Sequence, residues 1–251
     1  EMGQNTDWHG FRKMVPGEAM IDPLKITVKT PGIDVKNEKY EKTGIPGAVV
    51  AEYLMENHII RAKNDLNSLL ILLTPGDSQA ELDTLLEAFL SFEKHYLEDD
   101  LMKDVLPVLY NEYPKRYQGY TLKQLCQEMH EYYQENNTFV LQQKLFSKSG
   151  MQDYQMTPAT ADQLFKKDQN ELVNLENVVG RIAAEGALPY PPGVFIVAPG
   201  EKWGVVDQKY FEVLAHAIEK FPGFVPEIQG VYLSENNNGS LCVQAEVIKN
   251  K

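Results

Sequence analysis

A short, almost wholly apolar run, Ser68 to Leu73, is ended by Thr74-Pro75-Gly76, and Ser78 follows with Glu81 three residues on. The run is too short for an ordinary helix and is bounded by turn residues, so it reads as a strand buried on both faces. Ser78 and Glu81 have the spacing of a capping box, in which each side chain satisfies the other's backbone N–H at a helix start. The helix then carries Leu82, Leu85, Leu86, Phe89, Phe92 and Tyr96 at helical spacing, so one face must find a core. A strand, a stiff turn and a capped amphipathic helix in succession restrict this stretch to an α/β layer.

The neighbouring segments extend that reading. Leu24 to Lys29 alternates as a half-buried strand, Pro46 opens a helix through Leu54, and Ile59-Ile60 reads as a short strand. A boundary is expected near residue 96, and the chain beyond it turns helical. Leu101 to Leu109 is interrupted by Pro107. Thr121 and Gln124 form a second capping box before the stripe Leu122, Leu125, Cys126, Met129, Tyr132 and Tyr133. Helices are also expected over 137–147 and 159–167, the latter announced by Thr157-Pro158. From Glu171 the period shortens: Leu172–Leu175, Gly180–Ala184 and Val194–Val197 read as strands. A helix over Tyr210–Lys220 and a hairpin joining Val231–Leu233 to Leu241–Ile248 close the chain.

Among the 251 residues, 36 are acidic and 24 are Lys or Arg, a net charge of −12, which argues against nucleic acid as a partner. No apolar run is long enough to cross a membrane. The two cysteines, Cys126 and Cys242, are far apart and suit reduced, packed thiols of a cytoplasmic protein. Glu1 precedes Met2 and no signal-peptide pattern opens the chain, so it is read as a piece of something longer.

Motifs for common chemistries are absent. There is no phosphate loop, no GxGxxG, no GxSxG and no zinc spacing. The histidines stand singly. Cys126 and His130 are one helical turn apart, but no further ligands accompany them. Glu56 is different: it sits in a helix's last turn, where the dipole disfavours an acid, and that is a hint of another task such as gripping an ammonium group.

The string Gly180-Arg-Ile-Ala-Ala-Glu-Gly-Ala-Leu-Pro-Tyr-Pro-Pro-Gly193, followed by Pro199-Gly200-Glu201, resembles the C-terminal signature of the bacterial ornithine/lysine/arginine decarboxylases. Matching segments occur in order: Asp7–Phe11, Asp22–Asp34, Gly44–Pro46, Leu54–Ile60, Asp65–Pro75, Thr121–Tyr133, Phe221–Phe224 and Gln229–Tyr232. They span nearly the whole chain. The ornithine branch is the nearest in wording, since the lysine and arginine branches usually carry Pro where this chain has Phe195. One departure is Gly47, where relatives often have Ala; it is expected to add flexibility near the helix start.

The resemblance implies an α/β plus α+β architecture. Residues 1–95 would be the end of an aminotransferase-like (fold type I) small domain, and 96–251 the family's C-terminal α+β domain. It implies pyridoxal 5'-phosphate as cofactor, held by a Ser-x-His-Lys lysine that this sequence lacks, hence by a part of the subunit outside it. It further implies a small cationic amino acid as substrate, with the rest of the subunit and a homodimer or higher oligomer as partners. Glu56 would bind the substrate's far amine; Trp8, His9 and the Tyr190–Gly193 turn would line the entrance. The readings left open are a lysine or arginine decarboxylase fragment and a non-catalytic, decarboxylase-like regulator.

Overall fold

The computed structural model describes residues 22–34, 37–148, 150–151, 153–190, 193–224, 227–235 and 241–250. Trp8 and His9 lie outside them.

The first part runs β1 (Lys25–Lys29), β2 (Ile33–Asp34), β3 (Lys39–Tyr40), α1 (Gly47–Glu56), β4 (Lys63–Asp65), β5 (Ser68–Leu72) and α2 (Gln79–Glu98). β5 is the middle strand of an antiparallel sheet, β1-β5-β4, with Lys25 opposite Leu72 and Lys63 opposite Leu70. Leu69 and Ile71 are buried, whereas Leu72 is 52% exposed. The expected burial of this strand on both faces is therefore corrected: side chains alternate across an antiparallel ladder, and here only one face is covered.

Both ends of α1 are set by close backbone approaches. The Gly47 N–H donates to Leu66 O at 2.8 Å, and a Cβ at Gly47 would stand 2.5 Å from Ser68 O. Glycine is there to let the helix seat on the β4–β5 turn, which corrects the expectation of mere flexibility. At the other end His58 takes a left-handed φ of 62°. The His58 N–H reaches Met55 O at 3.0 Å and the Ile59 N–H reaches Leu54 O at 2.8 Å, the two bonds of a Schellman cap. This spends the Ile59 N–H and turns the chain, so the strand expected at Ile59-Ile60 does not form. Ile60 is left 81% exposed.

Next come α3 (Met102–Val105), α4 (Pro107–Glu112), α5 (Pro114–Tyr117), α6 (Leu122–Glu135), α7 (Thr138–Leu145) and α8 (Pro158–Phe165). Each proline that opens a helix lacks only a donor that has no intrahelical partner. Both capping boxes form: Ser78 with Glu81 on α2, and Thr121 with Gln124 on α6.

The last part holds β6 (Asn170–Asn174), β7 (Leu188–Tyr190), α9 (Val205–Lys220), β8 (Glu227–Gln229), β9 (Val231–Glu235) and β10 (Leu241–Ile248). The sheet order β6-β10-β9 is antiparallel, while β7 pairs with β8. β9 and β10 pair as expected, and the turn between them lies outside the described residues. The strands expected at Gly180–Ala184 and Val194–Val197 are reduced to single bridges, such as Ile182 with Lys202 and Ala187 with Val197. The backbone bonds here are scattered, with the Gly180 N–H on Trp203 O at 2.8 Å and the Ala183 N–H on Glu201 O at 2.8 Å, so no continuous ladder forms.

The larger core packs Val49, Leu54, Leu69 and Ile71 against Leu122, Leu125, Met129 and Phe221. It draws on both sides of residue 96, a position that α2 crosses unbroken. A second core joins Leu175, Val197, Trp203, Phe211, Val231 and Val247 beneath the β6-β10-β9 sheet. Among the described residues no helix is long and apolar enough to cross a membrane.

Candidate functional site

Glu56 ends α1 with its carboxylate directed at another helix. Its Oε1 accepts the Leu109 N–H at 2.9 Å and its Oε2 the Val108 N–H at 3.1 Å, both in the first turn of α4. The acid that is misplaced on its own helix thus meets the positive end of a second one. The dipole anomaly that singled it out is accounted for by this contact. Around it stand Glu52, Arg61 and Glu112. Burial raises the Glu52 carboxyl above its ordinary range, the Arg61 charge opposes that, and Glu56 and Glu112 add to it.

A cleft of about 450 Å³ lies elsewhere, between the β4 edge and the α7–α9 side. Its walls are mostly apolar, including Leu145, Phe146, Pro189, Val194, Ile196 and Phe224. Its polar groups converge at one end. Gln142 Nε2 donates to Asp65 Oδ1 at 2.8 Å and approaches the Tyr210 hydroxyl at 3.4 Å. Burial pushes the Tyr210 phenol up to about 12 and the Tyr133 phenol higher still, so both remain neutral donors. Apolar walls with a few converging polar groups suit a small molecule carrying both characters.

Of the sequence candidates among the described residues, only the Tyr190–Gly193 turn borders this cleft, through its neighbours Pro189 and Val194. Tyr190 itself is 55% exposed, and Gly193 closes the turn with its N–H on Pro189 O at 3.0 Å. Pro191 and Pro192 lie outside the described residues. Glu56 is not in the cleft wall, so the structure does not bring the two candidates together. Sequence reading missed Asp65, Gln142 and Tyr210, whose meeting is purely tertiary.

The signature itself builds a scaffold. The Gly200 N–H bonds Ala183 O at 2.9 Å and the Ala183 N–H bonds Glu201 O at 2.8 Å, while Glu201 Oε2 receives the Ala198 N–H at 2.8 Å. At Gly230 φ is 73°, and a Cβ would meet Gly186 O at 2.2 Å, so only glycine admits this crossing. The Cys126–His130 pair is also structural. Cys126 is fully buried, its thiol pushed up by that burial, and His130 Nε2 bonds Glu41 O at 2.8 Å. Among the described residues no group of His, Cys, Asp and Glu could hold a metal ion.

The family model for the Orn/Lys/Arg decarboxylase C-terminal domain matches residues 139–249, and that for the Orn/Lys/Arg decarboxylase major domain matches residues 1–81. The chain belongs to the ornithine/lysine/arginine decarboxylase family. It is 46% identical over 232 residues to an ornithine decarboxylase of Haemophilus influenzae, covering 92% of this chain and 32% of that protein. To the inducible ornithine decarboxylase of Escherichia coli it is 44% identical, covering 96% and 33%. Lysine decarboxylase A from Pseudomonas aeruginosa superposes with a TM-score of 0.88 at 30% identity, over 99% of this chain and 33% of that structure. Relatives named ornithine decarboxylase are 43 to 46% identical, and those named lysine or arginine decarboxylase 30 to 32%. The chain therefore spans about a third of the length of the curated decarboxylases it matches. The mixed α/β content expected from the sequence is that of this family.

Proposed function

We propose that this decarboxylase chain is the C-terminal third of a subunit that converts L-ornithine to putrescine and carbon dioxide. The observation that carries this reading is the gap in identity between the ornithine relatives and the lysine and arginine relatives. Within it, residues 1–95 are the end of an aminotransferase-like small domain and 96–251 the family's C-terminal domain.

Pyridoxal 5'-phosphate, when bound, supplies the electron sink for loss of the carboxylate. The residues described here do not fit its site. A lysine that holds this cofactor needs a desolvated pocket, and none of the described lysines is buried. The cofactor therefore belongs, in this reading, to the part of the subunit outside these residues. This chain's task is to shape the approach to that centre. Glu56 retains a second lone pair on each carboxylate oxygen after capping α4, and we assign these to the substrate's distal ammonium. The subunit acts in the cytoplasm as a homodimer or higher oligomer.

A substrate panel on the intact enzyme tests this. Decarboxylation of ornithine should exceed that of lysine and arginine in kcat/KM by about a hundredfold or more, since a site built for one chain length leaves buried polar groups unpaired with another. Equal or greater turnover of lysine or arginine would replace the substrate.

A further inference from the structure

We propose that the outer face of α2 is a docking surface for the remaining two thirds of the same subunit, an inference that rests on the reading above. At 3.6 residues per turn the apolar side chains of α2 cover an arc of roughly 200°, about twice what a surface helix needs for one core. The inner edge of that arc, Ala88 and Phe92, is buried. The outer edge is not: Leu86, Leu90 and Leu97 are 58%, 55% and 67% exposed. A helix apolar over so wide a sector is covered from two sides, and the described residues supply one.

The missing cover is identified by what else the subunit contains. The curated relatives are about three times as long as this chain, which covers 32 to 34% of them. The major-domain match ends at residue 81, inside the first turn of α2, so this helix is continuous in the chain with that domain. The rest of the subunit is covalently joined to the segment that leads into α2 and is twice the size of this chain, so we take it as the cover, and a second copy is the outcome the test separates. Glu93 projects within the exposed arc, so the covering surface must offer it a lysine, an arginine or backbone N–H groups.

The test is cysteine accessibility in the intact enzyme. Leu90→Cys, with Leu86→Cys as a second variant, is alkylated with a maleimide and read on its own peptide by mass, against Glu87→Cys on the helix's polar side. The introduced thiol should react on the order of tenfold slower than the Glu87→Cys thiol, because burial removes access. The same protection should persist after the oligomer is diluted to single subunits. Equal reactivity in the native enzyme would mean an open face, and protection lost on dissociation would mean a second copy; either overturns the proposal. Ornithine turnover of the same preparation reports separately on function: protection in an enzyme that prefers another amino acid would correct the substrate and leave the docking surface standing.

Discussion

Glu56 caps α4, and the grip on the substrate ammonium that we propose for it separates from that capping experimentally. Both oxygens cap α4, so Glu56→Gln keeps only one strong acceptor for the Val108 and Leu109 N–H groups. Thermal stability should fall by about 1 kcal/mol from that loss alone. If the carboxylate also grips the substrate ammonium, KM for ornithine rises about tenfold or more in the intact enzyme while kcat changes little. A lower Tm with KM unchanged would leave Glu56 as a cap only. Asp207 makes a different residue-scale prediction. It is buried in the first turn of α9 and accepts the Gly204 N–H at 2.8 Å. Burial raises its carboxyl from 3.8 to about 6, opposed by that hydrogen bond and helped by the charge of Glu201. The folded chain therefore binds this proton more tightly than the unfolded chain. The stability so contributed is fully present below about pH 4 and is lost as pH rises through 6. Asp207→Asn keeps an oxygen for the Gly204 N–H and carries no charge. Its Tm relative to the parent chain should climb between pH 4 and pH 7, by an amount worth at most about 3 kcal/mol. A flat difference across that range would contradict this.

At the scale of elements, what the sequence reveals depends on how local the cause is. The capping boxes of α2 and α6 are readable because both partners lie within four residues, and the burial of Leu122, Leu125, Cys126 and Met129 follows from the stripe. Thr121→Ala tests the cap: its hydroxyl accepts the Gln124 N–H at 3.3 Å, and its loss should cost about 1 kcal/mol, a Tm drop of roughly 2–4 °C for a chain of this size. An unchanged melt would remove the cap from the account. The cleft was not legible, because Gln142 meets Asp65 across 77 residues and Tyr210 across 68. The strands expected near the signature failed for a reason visible only in three dimensions: Gly180–Ala187 and Val197–Trp203 pair by scattered backbone bonds around a turn. In α2 the periodicity announced an apolar face but could not say how much of it these residues would cover.

At the scale of the molecule, one core spans residues from Val49 to Phe224 and ties the segment matched as major domain to the segment matched as C-terminal domain. The ordered motifs made the family legible in the sequence, since stiff proline turns and glycine crossings have few substitutes. The functional reading turns on the proposed placement of the cofactor outside these residues. Reducing the intact, cofactor-loaded enzyme with borohydride and mapping the pyridoxyl-bearing peptide tests it directly. The account predicts a tagged lysine outside residues 1–251; a tag on any lysine within them would contradict it.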